Sequence, residues 1–395
     1  MESLFELELR VLGQSDELLD DLSLANLRKY KYSSIDLSPT SKYVLGPWWN
    51  FAASFMPGWL APNCITMIGV SAILFNIFLI RVYAPDLETQ MPTWVYFWAA
   101  FSLFFYQTMD NVDGKQARKT GTSSPLGELF DHGIDSLNCT WSAYCCAATI
   151  GLGSTSWGFW LMVSATGAMY FSTWETYYTK TLFLGFLNGP TEGLLITCAI
   201  HIWTGLVGMD FWQTKNPWVF NLQYNQIFTA ITLLSVVIAH APLCVVNVRN
   251  AIEREESMSK ALKNLRPFYI FTLAMAVWSL SPASIMLKEN YMLTMCFVIA
   301  FTFGRQTTSI ILSHLCHQVF PSNNILLVLF CLGSVLYGLL PLVGVSVAAI
   351  VSEQLYLKGL LVFTSVYFFF YARMIIDRLC VYLGIRAFTV PPRQL

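Results

Sequence analysis

From residue 62 onward the chain alternates long apolar runs with short polar, glycine- or proline-bearing breaks. A helix needs about 20 apolar residues to cross a bilayer. Runs of that length fall at 62–83, 92–119, 125–151, 157–179, 189–209, 226–248, 267–287, 289–313, 324–349 and 353–380. The pattern predicts an all-α polytopic membrane protein with about ten transmembrane helices. Residues 45–61 are too short to span and rich in Trp and Phe, which predicts an N-terminal interfacial amphipathic helix. Residues 1–44 read as a polar cytosolic arm, and the basic, tyrosine-bearing LANLRKYKYSSIDLSPTSKY suits a segment lying over an anionic leaflet. The remaining divisions are a six-helix core over 62–250, a basic loop over 251–266, four further spans over 267–380 and a tail over 381–395. No fixed-period repeat is visible.

Composition supports the membrane assignment. Of 395 residues, 55% are hydrophobic and 12% charged, and mean hydropathy is +0.53; soluble domains carry about 25% charged residues. The net charge of -1 says nothing about partners, and no basic tract points to nucleic acid, so none is expected. Ten cysteines are scattered through apolar runs without a CxxC, so they read as small buried hydrophobes. The acidic start MESLFELELR does not resemble a signal peptide, which leaves insertion to the first span. With the arm in the cytosol, only Arg81, Lys215, Lys288 and Lys358 of the 23 basic residues fall outside. The others, including Arg10, Arg118, Arg254, Arg305 and Arg393, count as inside.

The stretch Asp110 to Asp135, DNVDGKQARKTGTSSPLGELFDHGID, breaks this pattern with acids where hydrocarbon is expected. Asp110 and Asp113 are three apart and Asp131 and Asp135 four apart, so each pair shares a helix face. Between them KTGTSSP predicts a turn, with Ser124 capping a helix that starts at Pro125. In an antiparallel hairpin Asp113 and Asp131 both lie about 9 Å from the turn, and Asp110 and Asp135 about 14 to 15 Å. Gly114 and Gly127 are expected to let the two backbones approach closely. Four carboxylates so near one another call for divalent cations, and two hard ions about 3.5–4 Å apart suit phosphoryl chemistry. Solvated acids at helix ends would account for one or two of them, but not for four in register with Arg118 and His132 among them.

The spaced pattern Asp110-x2-Asp113-Gly114-x2-Ala117-Arg118-x8-Gly127-x3-Asp131-x3-Asp135 resembles the complete signature of the CDP-alcohol phosphotransferase family. DGKQAR, SPLGELFDHG, WLAPNCIT at Trp59 to Thr66 and GPTEG at Gly189 to Gly193 are similar to its eukaryotic choline/ethanolamine phosphotransferase branch. The resemblance implies transfer of phosphocholine or phosphoethanolamine from CDP-choline or CDP-ethanolamine to diacylglycerol, with release of CMP, in phospholipid biosynthesis. It also implies an endoplasmic reticulum or Golgi membrane, an active site toward the cytosol, catalysis within 62–250 and a homodimer. The expected metals are two Mg²⁺ ions, with Mn²⁺ as the alternative, on Asp110, Asp113, Asp131 and Asp135. Asp131 or Asp110 would bridge them.

Arg118 is placed either to clamp a phosphate or to act as a positive-inside anchor. Asn63 either caps the first span, as its local pattern suggests, or binds the nucleotide, as the resemblance implies. His132, beside Asp131, has the chemistry of a general base. The branch resemblance pairs it with Glu192 as orienter, whereas Asp135 is the usual base across the family; a salt bridge to Arg118 is the competing use of Glu192. Tyr106 and Glu128, and also Trp174 and Glu175, are candidates for holding a cationic head group. His201 and His240 read as hydrogen-bonded core residues, and His314 and His317 as a helix end. Two rival readings remain: a synthase of the same family with another acceptor, and an ion-coupled transporter, which would show broken helices and inverted repeats.

Overall fold

The computed structural model describes residues 19–252, 257–321, 324–345 and 350–391. The first 18 residues of the expected arm, with Arg10, and also Arg254 and Arg393, lie outside the described residues.

The described chain is almost wholly helical. In order it forms α1 (Asp21–Leu27), β1 (Ser34–Asp36), α2 (Gly46–Ser54), α3 (Pro62–Tyr83), α4 (Thr93–Thr120), α5 (Pro125–Thr149) and α6 (Ser156–Thr179). There follow β2 (Leu182–Leu184), α7 (Leu194–Val207), α8 (Tyr224–Ser235), α9 (Ala241–Ala251), α10 (Arg266–Leu280), α11 (Met292–Cys316), α12 (Ile325–Gly333) and α13 (Glu353–Leu383). One-turn π segments lead into α2 and α7, join α8 to α9 and extend α12. Helical stretches thus occupy all ten positions predicted from the apolar runs. Five of them, Pro62–Tyr83, Tyr224–Ala251, Met292–Cys316, Ile325–Val343 and Glu353–Leu383, are long and apolar enough to span by length and hydropathy. The protein is an all-α polytopic membrane protein.

Two boundaries differ from the sequence reading. The seventh span stops at Leu280 rather than near 287, because Pro282 follows and Glu353 gathers the next turn. The Glu353 carboxylate accepts from Trp278 Nε1 (2.7 Å), Ser284 Oγ (2.6 Å) and the Ile285 amide (2.9 Å). The ninth ends at Val343, before Gly344 in the left-handed region (φ 81°). Arg305, counted among the inside residues, is buried. It is 3% exposed within α11, where its guanidinium stacks on the Tyr371 ring at 3.7 Å and donates to Ser309.

By contacts the chain forms two units. One comprises Met1–Tyr30, Ser154–Lys180 and Ala230–Met374; the other comprises Lys31–Gly153, Thr181–Thr229 and Ile375–Leu395. The second carries the aspartates. Within it α3 packs along α4, α4 against α7, and α3 against α5. α3 and α4 approach closely at Gly69 of α3, where a Cβ would stand 2.9 Å from Met109 Cβ on α4. Below it Ala53, Ile65, Met109 and Val112 form a core that pins the end of α2 against α3 and α4. Within 45–61 the helix runs over Gly46–Ser54 and turns and bends follow it; Phe51, Phe55 and Trp59 stay exposed. Carbonyls of its last turns are held by α4: Gln116 donates to Pro57 and Leu60, and Lys119 to Met56.

The cysteines behave as small apolar residues. All ten are free thiols, and Cys145, Cys146, Cys198, Cys244, Cys296 and Cys316 are buried.

Candidate active site

The helical hairpin that carries the acids is fixed at both sides of its turn. Gly121 takes the left-handed conformation (φ 71°) that ends α4, which L side chains adopt only at a cost. Ser124 caps α5 by accepting the Gly127 amide at 3.2 Å, and Pro125 is the first helical residue. With both ends set, the aspartate faces of α4 and α5 meet. Oxygens of Asp110, Asp131 and Asp135 lie within 4.8 Å of one another.

Two further groups hold the carboxylates. Tyr106, one turn before Asp110, donates its hydroxyl to Asp135 Oδ1 at 2.6 Å. Thr66 of α3 donates its hydroxyl to Asp113 Oδ2, and both residues are buried. Asp113 faces the same cluster, with Asp135 and Asp131 among its charged neighbours. Asp110 Oδ1 and Asp131 Oδ1 are buried and accept no hydrogen bond among the described residues. Buried oxygens left open in a group of mutually repelling carboxylates fit a hard divalent cation.

Several expectations need correction. Gly114 and Gly127 do not mark a close helix contact. A Cβ at Gly114 would meet nothing nearer than the Arg118 guanidinium at 3.7 Å, and one at Gly127 only its own cap, Ser124 Oγ, at 3.8 Å. No atom of the facing helix comes within 3.7 Å of a Cβ at either position, so these glycines leave space open, whereas Gly69 packs tightly against α4. Asn63 does not cap α3, whose cap position is Ala61; its amide donates to the Ala387 carbonyl at 2.9 Å. Arg118 is exposed and folds back over Gly114. His132 and Glu128 are half-buried on α5. Trp174 and Glu175 belong to the other unit, where Trp174 donates to the Ala261 carbonyl and Glu175 accepts from Asn247.

Glu192 lies in the π turn Gly189–Gly193. One of its oxygens accepts from Ser38 Oγ and the other from the Asn188 amide at 3.0 Å, with Thr40 as a further donor. Among the described residues it bonds neither His132 nor Arg118. The turn is tied to α4 by Gln107, whose amide donates to the Pro190 and Thr191 carbonyls at 2.7 and 3.3 Å.

Sequence reasoning missed Thr66, Gln107, Ser38 and Tyr32. Thr66 closes the WLAPNCIT motif, but its partner is 47 residues away. Tyr32 keeps 53% of its surface exposed and has the Glu128, Asp131 and Asp110 carboxylates among its charged neighbours. His201 and His240 are hydrogen-bonded as expected, to Thr149 Oγ1 at 2.7 Å and to the Ala168 carbonyl at 3.0 Å.

Residues 59–238, which contain the four aspartates, Thr66, His132 and Glu192, match the family described as CDP-alcohol phosphatidyltransferase. The chain is 34% identical to choline/ethanolaminephosphotransferase 1 of Arabidopsis thaliana, over 94% of this chain and 98% of that relative. It is 35% identical to cholinephosphotransferase 1 of Saccharomyces cerevisiae, over 80% of this chain and 84% of the other. It is 32% identical to ethanolaminephosphotransferase 1 of Homo sapiens, over 79% of this chain and 81% of the other. With its aspartate signature folded into one buried carboxylate cluster and relatives matched over nearly its whole length, this chain belongs to the CDP-alcohol phosphatidyltransferase family.

Proposed function

We propose that this protein transfers phosphocholine or phosphoethanolamine from CDP-choline or CDP-ethanolamine to the free hydroxyl of 1,2-diacylglycerol. The acceptor oxygen forms a bond to the β-phosphorus, the diphosphate bridge breaks, CMP leaves, and the hydroxyl proton passes to a base. The observation that carries this reading is the convergence of Asp110, Asp131 and Asp135 with buried, open oxygens. The names of the relatives support the donor and acceptor classes.

Asp110, Asp113, Asp131 and Asp135 would hold two Mg²⁺ ions, or Mn²⁺ in their place. Bound there, the metal would neutralise the diphosphate and stabilise the attacking and leaving oxygens. Tyr106 and Thr66 keep the carboxylates of Asp135 and Asp113 oriented. Arg118, exposed beside Gly114, supplies a planar donor for phosphate, and the space left by Gly114 and Gly127 admits the substrate close to the backbone. Glu128 and Tyr106 lie at the head-group end, and Asn63 at the nucleotide end.

His132 takes the acceptor proton, and Glu192 orients it in the substrate complex, because active-site hydrogen bonds are often incomplete before substrate binds. Asp135 is the alternative base, and its hydrogen bond from Tyr106 weighs against it by stabilising the carboxylate it would have to protonate. The Lys and Arg distribution supports a site open to the cytosol, and the family resemblance implies an endoplasmic reticulum or Golgi membrane. A homodimer is part of the same reading.

The test is CMP release by purified protein with diacylglycerol and Mg²⁺, comparing CDP-choline with CDP-ethanolamine for wild type and His132→Ala. Release that needs lipid and metal and is lost in the variant supports the reading. Release that survives in His132→Ala moves the base to Asp135. Release with neither donor contradicts the assigned substrates.

A further inference from the structure

We propose that residues 32–41 form a strap that positions the CDP-alcohol donor, with Ser38 as the positioning residue that latches it to Glu192. This rests on the donor reading above. The sequence assigned this stretch to a polar arm over the leaflet, yet Ser38 is 1% exposed, a burial that a hydroxyl tolerates only with a partner.

The strap is fixed along its length. β1 pairs in parallel with β2, Ser34 opposite Leu182 and Asp36 opposite Leu184. At its start the Leu182 amide donates to the Ser33 carbonyl at 3.0 Å, and Ser33 and Thr181 hydroxyls meet at 3.0 Å. At its end the Leu37 amide donates to the Leu184 carbonyl at 2.9 Å. Asp36 then accepts the Ser38 amide at 2.9 Å, and Ser38 Oγ both accepts the Ser41 amide and donates to Glu192.

That latch reaches the metal-binding helix through a short path. Glu192 sits in the turn that Gln107 holds to α4, and Gln107 lies one turn before Asp110. Tyr32, immediately ahead of the strap, has Glu128, Asp131 and Asp110 as its charged neighbours. Strap and turn are therefore joined by hydrogen bonds, and the turn is held to the helix that carries Asp110. A nucleotide whose diphosphate reaches the aspartates lies beside Tyr32. Displacing the strap loosens that seat without touching the carboxylates, so the effect falls on donor binding.

The experiment uses the full-length protein, with CDP-choline or CDP-ethanolamine varied at saturating diacylglycerol and Mg²⁺. Ser38→Ala is expected to raise the KM for the donor about tenfold to 100-fold, the order of one lost hydrogen bond to a charged group. The KM for diacylglycerol is expected to move by less than about twofold, and Ser38→Thr to restore the donor KM; any fall in kcat, through the Glu192 that orients His132, is expected to be smaller than the rise in donor KM. Hydrogen exchange at 33–37 and 182–184 gives a second readout, slowed by added CMP in the wild type and unaffected by it in Ser38→Ala. A folded Ser38→Ala protein with unchanged donor KM overturns the proposal, as does a loss confined to kcat. If the wild type turns over neither donor, the donor reading has failed, and the CMP-dependent exchange alone decides whether the strap closes on a nucleotide.

Discussion

Replacing Thr66 by Val tests how the site holds its acids. The substitution nearly conserves shape and removes one hydroxyl, the donor to Asp113 Oδ2. Thr66 is 1% exposed and Asp113 6%, so no bulk water replaces the lost partner. A hydrogen bond to a charged group contributes about 1.5–3 kcal/mol, and removing an outer partner of a metal ligand weakens metal binding about 10- to 100-fold. The Mg²⁺ concentration for half-maximal CMP release should rise by that factor, while the rate at saturating metal falls far less. The metal-induced rise in melting temperature should shrink in parallel, which separates metal binding from chemistry. Thr66→Ser, which keeps the hydroxyl, should lie near wild type. A Thr66→Val protein that titrates with Mg²⁺ like wild type would refute the claim that Thr66 holds Asp113 for the metal.

Other outcomes follow from the same packing and hydrogen bonds. Gly69→Ala forces a Cβ to 2.9 Å from Met109 Cβ and should cost about 1–3 kcal/mol of stability, read as a lower melting temperature. Gly114→Ala has room and should leave the melting temperature unchanged while raising the donor KM, because the added methyl enters the space kept open before Arg118. Tyr106→Phe removes the donor to Asp135 and should lower CMP release about tenfold without unfolding the protein. Glu353→Gln leaves one of three buried donors unmatched; thermal unfolding should show a loss of about 1–3 kcal/mol with unchanged kcat.

The helices and the acid cluster were legible because each rests on local rules. Ten apolar runs became ten helical stretches, and Ser124, Pro125 and the polar KTGTSSP break located the hairpin turn within a residue or two. What sequence did not reveal depends on partners distant in the chain. Glu192 is joined to Ser38 across 154 residues, and Thr66 to Asp113 across 47. Neither pairing has a periodic signature. The glycines were misread for the same reason: composition shows where a backbone is bare, but only packing shows whether a neighbour, as at Gly69, or open space, as at Gly114, fills the gap. Arg305 was counted only by its side of the membrane, and its stacking on Tyr371 accounts for a charge held inside a helix bundle.

The central claim is metal-dependent transfer of a phosphoalcohol at the aspartate cluster. It is tested most directly by measuring CMP and phospholipid together, from purified protein, diacylglycerol, Mg²⁺ and either CDP-alcohol, for wild type and Asp131→Asn. The account predicts equal amounts of CMP and the matching phospholipid, abolished by chelation and by the substitution. Phospholipid formation that persists in Asp131→Asn, or CMP released without phospholipid, would contradict it.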